Sequence, residues 1–136
     1  MRLLEWLMSG DPVVQRLTRK YLLDEDPPYA DSGFIGQYLS LYDPERRLFG
    51  GGIYTPKWTS THYTMMELKA MDIDPAHPVF REAALHLLER MWAKAGKVSR
   101  NRHQDMCVVG MMLALACYAR IQDDRIPDMI DYILAH

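Results

Sequence analysis

From Thr59 to Leu134 the apolar positions repeat. Sliding the chain against itself by 46 residues, without a gap, sets Met65 on Met111, Ala70 on Ala116, Phe80 on Ile126, Ala84 on Ile130, Leu87 on Ile133 and Leu88 on Leu134. A period of that length, made of a helix, a short connection and a second helix, is the pattern of an α-helical repeat array. The two helices of each pair differ in kind. Stretches near 59–71 and 105–119 are apolar over most of their circumference. The stretch Pro78 to Trp92 instead keeps Phe80, Ala83, Leu87 and Met91 on one side, with Arg81, Glu82, Glu89 and Arg90 on the other. Inner helices covered by one-sided outer helices account for that alternation. The expected fold is therefore all-α: an αα-superhelix, or partial αα-toroid, of about seven helices in inner and outer pairs. One domain spans 1–136, with repeat units near 59–104 and 105–136.

The first part of the chain is less periodic. Arg2 to Met8 reads as a short apolar helix ended by Ser9-Gly10. Asp11-Pro12 then reads as N-cap and first helical position, since the carboxylate accepts free amides and proline there loses no hydrogen bond. That second helix runs to about Leu23, with Val13, Leu17 and Tyr21 inward and Arg16, Arg19 and Lys20 outward. After the break at Asp24 to Pro28, a third helix covers roughly Ser32 to Tyr42. Asp43 to Trp58 is the least regular stretch. The glycines at its centre, Gly50 to Gly52, permit positive φ and close backbone approach, so this loop either packs tightly, faces a ligand or simply connects. A basic polar loop, Lys94 to Arg102, separates the fifth helix from the sixth. The sixth, Asp105 to Ala119, is apolar nearly all round and is expected to be surrounded by other helices. The last helix carries Pro127 in its first turn. Its apolar flank, Ile126, Ile130, Ile133 and Leu134, has no polar capping helix after it, which predicts association into a homo-oligomer by dimerisation or swapping.

Composition narrows the function classes. A net charge of −2 over 136 residues gives no electrostatic case for nucleic acid or an anionic membrane. The longest apolar run, Met106 to Ala119, is too short to span a bilayer, and Glu5 interrupts any leader-like start. The two cysteines, Cys107 and Cys117, sit about 15 Å apart along one helix, beyond disulfide reach. Reduced thiols point to a cytoplasmic protein.

Four features together resemble the terpenoid cyclase and protein prenyltransferase superfamily of αα-toroids. They are Trp6-Leu7-Met8-Ser9-Gly10-Asp11-Pro12, the segment from Gly50 to Thr64, the stretch Asp105-Met106-Cys107-Val108-Val109-Gly110-Met111, and the repeat itself. The segment Gly50 to Thr64 is the most specific. It is similar to the stretch between a turn and an inner helix in bacterial proteins described as prenyltransferase or squalene-oxidase repeat proteins. The resemblance covers most of the chain. It implies a truncated or half-toroid, because a whole toroid needs roughly twice as many helices.

The resemblance also implies candidate chemistry. In protein prenyltransferases an Asp-x-Cys at the start of an inner helix supplies two zinc ligands, which puts those roles on Asp105 and Cys107. The third ligand, a later histidine, has no counterpart here, and His103 does not match the pattern. Zinc with an open position lowers the pKa of a substrate thiol. The alternative is that Cys107, like Cys117, is simply a core residue. His62 matches an inner-helix histidine that helps hold an isoprenoid diphosphate, and a helix N-terminus with Lys57 nearby suits an anion. Otherwise His62 is a loop histidine with a local hydrogen bond. Trp58 and Tyr63, with Tyr54, are candidates to line an apolar interior or are plain core. Asp72-Ile73-Asp74 lacks the last aspartate of the cyclase acid motif and reads as a turn. Two functions follow: a toroid-like protein binding an apolar or isoprenoid ligand, with or without zinc, or a non-catalytic helical module acting in protein–protein association. No catalytic residue is assigned.

Overall fold

A computed structural model describes residues 2–92, 97–99 and 102–136, with only the backbone of 97–99 and 102–103. Among these residues the fold is all-α, with seven helices: α1 (Leu3–Met8), α2 (Pro12–Leu22), α3 (Gly33–Leu39), α4 (Thr61–Ala70), α5 (Pro78–Met91), α6 (Met106–Tyr118) and α7 (Arg125–Ala135). Two small antiparallel hairpins fall where no strand was expected, and α3 stops at Leu39, so that Tyr42, the expected end of the third helix, starts the first of them. β1 (Tyr42–Asp43) pairs with β2 (Leu48–Phe49), and β3 (Lys97–Ser99) pairs with β4 (Arg102–His103). The second hairpin occupies part of the expected basic loop; the rest of that loop lies outside the described residues. No helix among the described residues is long and apolar enough to cross a membrane.

The helices pack mainly on their neighbours along the chain, but α4 also packs directly on α6. The core runs through this contact: Met65 and Leu68 of α4, Phe80, Leu87 and Leu88 of α5, and Val109, Met112 and Leu115 of α6 are all essentially inaccessible. Burial of such side chains stabilises by about 1.5–3 kcal/mol each, which is what holds the layers together.

One carboxylate organises the start of the fold. Asp11 caps α2 through Oδ1, which accepts the Val13 amide at 2.8 Å, and its Oδ2 accepts the Phe34 amide at the start of α3 at 3.0 Å. Gly33 lies against it at φ +62, where an added Cβ would sit 2.4 Å from Oδ2, so only glycine fits.

Helices α4 and α6 end in the same way. Asp72 (φ +60) and Arg120 (φ +52) adopt the left-handed conformation. The next residue of each, Ile73 or Ile121, returns its amide to Leu68 or Ala116 and buries its side chain, completing a Schellman motif. These ends align two residues further apart than the shift that sets Ala83 on Met129, both buried in α5 and α7. The α6–α7 connection is correspondingly shorter.

Three sequence expectations are corrected. In α2, Arg16 is buried and Tyr21 is 68% exposed, the reverse of their expected faces. The reason is a carboxylate from a distant loop: Asp72 Oδ2 accepts from Arg16 Nη2 and from Lys20 Nζ, each at 2.8 Å. Arg16 Nη1 also donates to the carbonyls of Pro27 and Pro28, and Tyr29 stacks on its guanidinium. Secondly, α6 is not surrounded: Cys107, Gly110, Ala114 and Cys117 form an exposed strip at helical spacing among the described residues. Small side chains count as apolar in the pattern yet lose little by facing water. Thirdly, neither cysteine is therefore a core residue.

Candidate functional site

The loop from Gly50 to Ser60 folds back onto the start of α4. Gly50 pairs with Ser60 as an isolated antiparallel bridge at φ +58, and a Cβ there would meet the Thr59 carbonyl oxygen at 1.9 Å. Thr61 turns its hydroxyl onto the backbone of Phe49, accepting its amide at 3.0 Å and donating to its carbonyl at 3.1 Å. The carbonyls of Gly52 and Ile53 accept the amides of Thr61 and His62 at 2.8 and 2.9 Å. Two consecutive backbone bonds thus staple the loop to the helix. They also use two of the amides that a helix N-terminus would otherwise offer to an anion.

This fold-back gathers four aromatic rings. His62 packs against Tyr54 and Tyr63, with ring centres 5.1 and 5.4 Å away. Tyr63 also meets Tyr54 at 5.5 Å and Trp58 at 5.1 Å, and the two tyrosine hydroxyls lie 3.3 Å apart. The Tyr63 hydroxyl and partial burial push the Tyr54 hydroxyl up to about 12. Smaller contributions to the same rise come from Cys107 and Asp105 at the start of α6. His62 is fully buried, and neither ring nitrogen has a hydrogen-bond partner. Burial lowers its pKa and keeps the imidazole neutral. The hydroxyl of Ser60 is likewise buried without a partner.

Trp58 differs from its neighbours. Its backbone is left-handed at φ +70, and its side chain is 76% exposed while one part rests on Tyr63. A bulky residue in that conformation is strained and persists only where the surroundings enforce it. Beside it, between α3 and the start of α4, is a hollow of about 460 Å³. Tyr38, Leu41 and Trp58 form its apolar walls, Gln37, Thr59 and Thr64 its polar points, and the Gly50 backbone completes it. That volume falls in the range of about 300–1,000 Å³ common for small-molecule sites. A larger hollow, about 660 Å³, lies at the α6–α7 turn among Arg120, Asp123 and Asp124. It has no aromatic wall, and Asp123 there is paired with Arg125 at 2.7 Å.

Of the residues singled out in the sequence, Trp58, His62 and Tyr63 come together in one cluster. Lys57 is exposed and lines none of the hollows described above. Asp105 and Cys107 are exposed at the start of α6. Among the described residues no three His, Cys, Asp or Glu side chains are placed to hold a metal ion, and the His103 side chain lies outside them. The sequence reading missed Gln37, Tyr38 and Leu41. Gln37 and Tyr38 come from α3 and Leu41 from the turn after it, and no local signal marks a helix face whose partner arrives only after the intervening hairpin. No family model, curated protein or solved structure matches the chain.

Proposed function

We propose that the chain is a helical-repeat protein of the terpenoid cyclase and prenyltransferase kind that holds an apolar, isoprenoid-like ligand against Trp58 and Tyr63. One observation carries this reading: a strained, exposed indole braced by a tyrosine at the mouth of a hollow of about 460 Å³. Tyr38 and Leu41 extend the apolar wall, and the neutral, buried His62 backs the tyrosines. No bond-making step is assigned, and the reading does not depend on a metal. Calorimetric titration of the full chain with geraniol tests it. Binding is expected in the wild type, and Trp58→Ala should weaken it by about tenfold or more while the helical circular dichroism is unchanged, since the lost indole face is worth about 1.5 kcal/mol or more. No binding by the wild type would end this reading.

A second reading has its own observation. The exposed strip Cys107, Gly110, Ala114 and Cys117 on α6, together with Ile130 (41% exposed) and Leu134 (80% exposed) on α7, suits close packing against another helix, as in a homo-oligomer. Native mass spectrometry of the wild type and of Ala114→Glu distinguishes the cases. An oligomer in the wild type that dissociates in the variant supports an association module, whereas a wild-type monomer removes it.

A further inference from the structure

We propose that the hollow between α3 and α4 recognises an uncharged head group (a hydroxyl, carbonyl or amide) on an otherwise apolar molecule, and rejects a phosphorylated one. This rests on the ligand-binding reading above and specifies its chemistry. None of the residues lining the hollow is charged. A phosphate entering it would leave water without gaining a cation, because the exposed Lys57 is not part of the wall. Nor are the first two amides of the nearby helix N-terminus open to a phosphate. The amides of Thr61 and His62 are already donated to the carbonyls of Gly52 and Ile53.

The polar points present suit a neutral head instead. The Gln37 amide and the Thr59 and Thr64 hydroxyls make no side-chain hydrogen bond to another described residue. Between them they offer donors and acceptors in the same small space, so a hydroxyl or carbonyl finds a partner in whichever sense it points. Tyr38, Leu41 and the free part of Trp58 receive the apolar body. Apolar walls with a few polar points fix orientation without demanding charge.

The test compares geraniol with geranyl diphosphate on the full chain carrying Trp6→Phe, so that Trp58 is the exposed emitter and Trp92 remains buried. Geraniol is expected to quench the emission with at least about tenfold higher affinity than the diphosphate. In the same background Gln37→Leu, on an exposed position, should weaken geraniol about fivefold, the loss of one hydrogen bond, and leave the hydrocarbon myrcene unchanged. A diphosphate that binds as tightly as the alcohol overturns this inference but leaves the broader ligand-binding reading standing. So does a Gln37→Leu protein that binds geraniol undiminished. If neither probe binds, both fall.

Discussion

At the scale of single residues, His62 is the group with most at stake. A buried imidazole with two unpartnered nitrogens tolerates only the neutral form, because protonation would add a charge and a second buried donor with no acceptor. Its folded pKa lies below the ordinary 6.5. The unfolded chain therefore binds more protons than the folded one below that value, so stability falls as pH drops from about 6.5 towards the folded pKa. Urea unfolding at pH 7 and pH 5.5 should show this slope, and His62→Gln should flatten it. An unchanged slope would place the acid sensitivity elsewhere. The sequence located His62 at the head of a helix, but not its isolation. That depends on Tyr54 and Tyr63 closing over it.

At the scale of elements, the twin endings of α4 and α6 carry the clearest lesson. Both helices stop where one residue turns left-handed and an isoleucine returns to the core. Neither stop uses glycine, so each stores some backbone strain. Arg120 is exposed, so Arg120→Gly relieves that strain at the cost of a looser unfolded chain and should stabilise by about 0.5–1 kcal/mol. Thermal unfolding checks it, and a lowered Tm would mean that Arg120 makes a compensating contact. Helix existence and order were legible in the sequence because a helix advertises itself through its own 3.6-residue period. The two hairpins were not. Two- and three-residue strands carry too few alternations to register, and β1–β2 is held partly by remote ion pairs from Arg47 to Glu82 and Glu89 of α5.

At the scale of the whole molecule, Asp72 ties three regions together. It follows α4, receives Arg16 and Lys20 from α2, and lies within 3.4 Å of the Tyr118 hydroxyl of α6. Burial pushes its carboxyl up, but the hydrogen bonds and charges of Lys20 and Arg16 outweigh that and hold it below its ordinary 3.8. The stability it contributes is thus present above pH 3.8 and is lost as pH falls through the lower folded value. Lys20, raised chiefly by its bond to Asp72, contributes below pH 10.5 and loses that contribution as pH rises through its folded value. Asp72→Asn tolerates the left-handed backbone yet leaves Arg16 buried without its counter-charge. It should cost about 3–5 kcal/mol, with faster hydrogen exchange in α2 than in the wild type. A loss below about 1 kcal/mol would mean that the Pro27 and Pro28 carbonyls alone satisfy Arg16.

By itself the sequence determined the helical class, the order of the helices, the Asp11 cap and the turn at Asp72. Each follows from interactions within a few positions along the chain, which local pattern records directly. Only the tertiary structure decided that Arg16 lies inside and Tyr21 outside, that one strip of α6 is open, and that α3 completes a hollow beside Trp58. Those outcomes depend on partners tens of residues away, and a side chain's own hydropathy does not say whether a carboxylate or a neighbouring helix will be there to meet it.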